Sequence, residues 1–90
     1  MEFEWTPQKA VANVKKHDVT FREAATVFGD PLAITFEDPA HCLNENRYIT
    51  FGLSLQKRLL VVSHTERKNR TRIISARLMD RKERIIYEEG

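Results

Sequence analysis

The hydrophobic period of this chain changes from helical to strand-like at Asp30-Pro31, and that change limits the folds open to it. From Pro7 to Phe28 apolar residues recur at helical spacing; from Leu32 to Met79 they alternate or run together as they do in strands. Helices followed by a run of antiparallel strands describe a small α+β domain, with helices packed on one face of the sheet.

Local signals set the elements. Phe3 and Trp5 alternate with acids in EFEW, a short first strand. Thr6-Pro7 reads as N-cap and first helical residue, because proline is tolerated where no intrahelical donor is needed. The spacing predicts a helix from Pro7 to about Lys16, with Ala10, Val11 and Val14 on one face. Thr20 and Glu23 have the spacing of a capping box. Gly29 is suited to a left-handed C′ position, and Asp30-Pro31 forbids continuation. A second helix, Phe21 to Phe28, would bury Phe21, Ala24, Ala25 and Phe28. The two helices form a helical hairpin.

Strands are expected at Leu32 to Phe36, in RYITFGL, in RLLVVSHT and in RTRIISARLM, with the polar stretch EDPAHCLNEN as a loop. Asp80 and Glu83 make another capping box, opening a helix DRKERIIYEE with Ile85 and Ile86 inward. The order is β-α-α-β-β-β-β-α.

Ninety residues make one domain, residues 1–90. A chain of this length buries roughly 60–65% of the surface its unfolded form exposes. The longest apolar run, Leu59 to Val62, falls far short of the roughly 18 residues of a membrane span. The opening MEFEWTPQ lacks the apolar core of a secretory signal. The single cysteine, Cys42, has no internal disulfide partner, in keeping with a reducing cytoplasm.

Charge is distributed unevenly. Residues 1–56 carry five basic and eight acidic side chains, whereas residues 57–84 carry ten basic and three acidic. Such a skew suits an anionic partner, most commonly nucleic acid, although a basic tract can also be a solvated face.

The chemistry-bearing residues gather in VVSHTERKNRTRIISAR. His64 and Glu66 share one face of their strand if it stays regular. A three-residue turn would set His64 opposite Arg72, and a two-residue turn would shift the register by one. A histidine, a carboxylate and several guanidiniums suit metal-free cleavage of RNA, which carries its own nucleophile in the 2′-hydroxyl. The protein then supplies a base, an acid for the departing 5′-oxygen, and cations for the phosphate. Glu66 or His64 could be the base, and His64 or an arginine the proton donor. Arg67, Arg72 and Arg77 could hold the phosphate by bidentate contacts. The same residues also admit a plain account: a half-exposed packing histidine, a cross-strand ion pair at Glu66, and a guarded edge strand.

Elsewhere signals are weaker. His17 suits a helix C-terminus. His41 and Cys42 are adjacent in a loop, and no metal-ligand spacing emerges. No cofactor motif is present.

The chain resembles the BrnT toxins of type II toxin–antitoxin systems nearly end to end. The resemblance is carried by FEWTPQKAVANVKKHDVTF, REAATVFGDPLA, RYITFGLS, HTERKNRTRIISAR and ERIIYEEG. It implies a RelE-like α+β fold, with the helical hairpin and C-terminal helix packed on an antiparallel sheet. It also implies a ribonuclease that stops translation and growth. The implied partner is a BrnA-like ribbon-helix-helix antitoxin, through which alone the toxin would meet operator DNA. The family-like positions are Glu66 and Arg67 of TER, Arg72, and Arg77 of S-A-R. Lys68, Arg70, Arg81, Arg84 and Tyr87 are expected to contact RNA, and Glu83 and Tyr87 match the ER-x-x-Y ending. The chain departs from the family pattern at Asp18, where glycine usually follows Lys-His, and at Leu78-Met79, often Lys-Ala. His64 occupies a position that is not always histidine. A rival function is a module that binds nucleic acid or antitoxin without catalysis.

Overall fold

The computed structural model describes residues 2–38 and 46–90. His41 and Cys42 lie outside them. The elements are β1 (Glu2–Glu4), α1 (Pro7–His17), α2 (Phe21–Thr26), β2 (Ile34–Glu37), β3 (Arg47–Leu53), β4 (Leu59–Arg67), β5 (Arg70–Leu78) and α3 (Arg81–Glu89). The expected order holds. One five-stranded sheet runs β1-β5-β4-β3-β2. Neighbours are antiparallel except β1, which pairs parallel with β5, Glu4 lying opposite Arg72.

The caps explain the helix starts. The Thr6 hydroxyl accepts from the Lys9 N–H at 3.4 Å, with Pro7 at the first helical position. Asp80 and Glu83 exchange both bonds of a capping box. The expected Thr20–Glu23 box is only half formed. Thr20 accepts from the Glu23 N–H at 3.0 Å, but the Glu23 side chain turns inward to Arg58 and Ser54. A buried carboxylate finds more stabilisation on a guanidinium than on a backbone N–H.

Other local expectations are corrected. Gly29 is not left-handed. The second helix tightens instead into a 3-10 turn over Val27–Gly29, and the Asp30 N–H bonds back to the Val27 carbonyl. The inward face of α1 is Ala10 and Asn13; Val11 is 56% exposed and Val14 40%. In α3, Ile85 and Ile86 are nearly half exposed, and the inward side chains are Glu83 and Tyr87, one turn apart.

The helices also do not share one face. Val19, Phe21, Ala24 and Val27 pack on Leu60, Val62, Ile73 and Ala76. On the opposite face Tyr87 of α3, with Met79, meets Phe51 and Val61. Strand alternation makes this possible, since Val61 and Val62 point to opposite sides. Gly52 permits close packing above it: a Cβ there would lie 2.5 Å from Val27 Cγ1.

Candidate nucleic-acid interface

The β4–β5 hairpin closes through Lys68-Asn69, with φ of 48° and 68°. Both central residues at positive φ is the pattern of a type I′ turn, the two-residue solution. His64 therefore lies opposite Ile73, not Arg72, while Glu66 faces Thr71 and Thr65 faces Arg72. The register slips once more between Ser63 and His64, leaving Ile74 without a partner.

That register divides the expected residues. His64 and Glu66 project on the α1/α2 face, with Leu60 and Val62. Arg67, Arg70 and Arg72 project on the other face, with Glu2 and Glu4 of β1. The two groups meet only at the hairpin end. Arg77 is five residues further along β5, roughly 15 Å from Arg72 at strand spacing.

His64 is buried, 4% exposed. Phe28 meets its ring edge-on at 4.8 Å between centroids, and Tyr48 stacks on it at 5.8 Å. Burial pushes the imidazole below its ordinary range, against the pull of the Glu66 charge. Almost none of the ring is open to solvent. Glu66 is more open, with half of its side chain exposed. Its carboxylate accepts from the Thr71 hydroxyl at 2.9 and 3.2 Å.

The other carboxylates nearby are held by guanidiniums. Arg72 donates to Glu4 at 2.9 Å, and Arg70 lies 3.5 Å from Glu2 and 3.7 Å from Glu4. The Arg72 hydrogen bond holds the Glu4 carboxyl below its usual range. Arg77 grips Glu83 with both ends of its fork, at 2.8 and 2.7 Å. Arg67 and Lys68 have no ion pair among the described residues. With Glu4 and Arg70 they line a cleft of about 420 Å³.

Arg81 and Arg84 are exposed on α3. Tyr87 is partly buried, and its hydroxyl donates to Asp30 at 2.6 Å, which pushes its pKa up to about 12. The sequence reading did not single out Tyr48, Thr50 or Thr71 around His64 and Glu66. The alternation in RYITFGL puts Tyr48 and Thr50 on one face, but only the β3–β4 register brings that face to His64. Among the described residues no group of three or more histidine, cysteine, aspartate or glutamate side chains is placed to hold a metal ion. No helix there is long and apolar enough to cross a membrane.

Residues 5–83 match the family model described as "Ribonuclease toxin, BrnT, of type II toxin-antitoxin system". The chain belongs to the BrnT family. A comparison with curated protein sequences gave no significant match. Among solved structures the chain is similar to the Brucella abortus ribonuclease toxin BrnT, at 19% identity and a TM-score of 0.71. The similarity covers 90% of this chain and 99% of that one. At that identity the likeness speaks for the fold, and the three helices around a five-stranded, mostly antiparallel sheet are the BrnT fold. A type II toxin implies an RNA substrate and a cognate antitoxin for this BrnT-family chain.

Proposed function

We propose that this chain is a metal-independent RNA endonuclease whose working end is the tip of the β4–β5 hairpin. The observation that carries the reading is Glu66, a half-exposed carboxylate bonded to a hydroxyl and not to a guanidinium, followed directly by Arg67 and Lys68, which make no ion pair among the described residues. A carboxylate neutralised by arginine is a poor base; one bonded only to a hydroxyl can take a proton.

In this mechanism Glu66 removes the 2′-hydroxyl proton, and the oxygen attacks the adjacent phosphorus. Arg67 grips the phosphate, with Arg70 and Arg72 drawing the backbone onto the β5 side. Lys68, at the turn itself, protonates the departing 5′-oxygen. Proton transfer of this kind is worth about 10²–10⁴ in rate. No step needs a metal, because the nucleophile belongs to the substrate. Arg81 and Arg84 extend the contact with RNA. Arg77 acts indirectly, by holding α3 through Glu83, and Tyr87 does so through Asp30.

In the cell, on this reading, the chain works in the cytoplasm, where its cleavage of RNA slows translation and growth. A BrnA-like ribbon-helix-helix antitoxin neutralises it and carries the pair to operator DNA. The second reading, a module that binds without cutting, draws support from the burial of His64 and from the pairing of Arg72 and Arg77 with carboxylates.

Cleavage of a defined single-stranded RNA in EDTA decides between the two. Wild type is expected to cut and Arg67→Ala to fail. No cleavage by wild type, with no growth arrest when the gene is induced without its antitoxin, would establish the binding module.

A further inference from the structure

A histidine buried directly behind Glu66 is more than packing. Both of its ring nitrogens face polar groups. Nε2 lies 2.7 Å from Thr50 Oγ1, and Thr50 Oγ1 lies 2.8 Å from Thr35 Oγ1. Nδ1 is fully buried, has no hydrogen-bond partner among the described residues, and faces Glu66 Oε2 at 3.5 Å. Thr71 closes the far end at 2.9 Å from the same oxygen. A line of polar atoms thus crosses β2, β3, β4 and β5 and ends on the one carboxylate at the hairpin tip that no arginine holds.

Chemistry sets the direction of every hydrogen along it. A carboxylate only accepts, so a ring nitrogen facing it at this distance must carry the proton; a lone pair there would be repelled. With the proton on Nδ1, a neutral ring has only a lone pair at Nε2, and Thr50 must donate to it. The Thr50 oxygen is then an acceptor for Thr35. Burial between Phe28 and Tyr48 favours the neutral ring, against the pull of Glu66, and the neutral ring has this order of donors. The orphaned Nδ1 is the unusual feature, since buried polar atoms in native folds are almost always paired. Shortening that 3.5 Å by a few tenths of an ångström would make it a hydrogen bond.

We propose that His64 is the positioning residue of Glu66: Thr35 and Thr50 set its tautomer, and its Nδ1–H aims the carboxylate at the 2′-hydroxyl. The proposal rests on the reading of Glu66 as base. His64 and Thr71 converge on Oε2, leaving Oε1 as the less engaged oxygen and the one to take the substrate proton. His64 itself never meets RNA, so its loss acts on the chemical step and not on binding.

Two measurements on the intact protein test this. Nitrogen-15 NMR of the imidazole is expected to show a neutral ring protonated at Nδ1 and bare at Nε2. A ring protonated at Nε2 instead would overturn the proposal whatever the enzyme does. In cleavage assays, His64→Phe fills the aromatic cage but has no donor, and should lower kcat about ten- to a hundredfold with KM unchanged. His64→Asn, whose amide nitrogen can stand in for Nδ1, should recover part of that loss. In a Glu66→Gln background, His64→Phe should have no further effect; an equal loss there would show that His64 acts independently of Glu66 and sink the idea. Full activity in Glu66→Gln alone would remove the base reading and the catalytic part of this one, while the NMR result would still decide the hydrogen-bond order.

Discussion

The side chain of Asn13 exchanges two hydrogen bonds with the backbone of Ala76, 63 residues away. Its Nδ2 donates to the Ala76 carbonyl at 2.8 Å and to the Val19 carbonyl at 2.9 Å, while its Oδ1 accepts from the Ala76 N–H at 3.1 Å. The amide behaves as a short piece of strand added to β5, and it pins α1 to the sheet. Asn13→Ala strands three backbone groups in the core, each costing about 1–3 kcal/mol when left unpaired. We expect a large drop in the urea midpoint, with Asn13→Asp at least as damaging because a carboxylate cannot donate. A loss of unfolding free energy below about 1 kcal/mol in Asn13→Ala would mean that water replaces the amide.

Arg67 and Arg77 should separate function from stability. Arg77 holds the half-buried Glu83 with two bonds, and that pair ties α3 to β5. Arg77→Ala is expected to lower the melting temperature, and RNA cleavage only as far as the folded fraction falls. Arg67→Ala is expected to do the reverse, abolishing cleavage with the melting temperature intact. A matched loss of both properties in both variants would contradict this division.

Acid should unfold the protein in two stages. The His64 imidazole lies below its ordinary value of 6.5 because of burial, so above that pH both folded and unfolded chains are neutral there. As pH falls below 6.5 the unfolded chain takes the proton first, and stability declines. The Glu23 carboxyl lies below its ordinary 4.5 because of the Arg58 hydrogen bond, and Glu83 likewise because of Arg77. Their stabilisation is complete above that pH and is lost as pH falls through their folded values. Urea midpoints across pH 7 to 3 should show both slopes, and His64→Phe should remove the first alone. Survival of the first slope in His64→Phe would assign it elsewhere.

Asp18 is the C-cap of α1 and stands at φ 58°, ψ 38°, the left-handed region, where its own N–H bonds to the Val14 carbonyl. An L side chain costs roughly 1–2 kcal/mol there relative to glycine. The usual glycine of the family at this position thus has a backbone reason. Asp18→Gly should raise stability by about 0.5–1 kcal/mol after the entropy of the unfolded glycine is counted. The Asp18 carbonyl that accepts from Arg58 is retained in the variant. Unchanged or reduced thermal stability would show that the carboxylate does more than tolerate its angle.

What the sequence determined by itself is local. Thr6-Pro7, the Asp80–Glu83 capping box and the alternation in RYITFGL involve residues within a few positions of one another, and backbone hydrogen bonding decides them there. The family likeness was legible for the same reason, since its motifs are short runs of neighbours. What only the tertiary structure decided are contacts made at a distance. Hydrophobicity pointed to Val11 and Val14 as the inner face of α1, but the open backbone groups of Ala76 and Val19 selected Asn13. Glu23 left its capping box for Arg58, 35 residues on. The two-residue turn at Lys68-Asn69 chose which strand position faces His64, and the edge of Phe28 with the stacked Tyr48 buried that ring. Parity along one strand can say that His64 and Glu66 share a face. It cannot say what covers that face, because a neighbouring strand's register depends on turns and partners that its own residues do not specify.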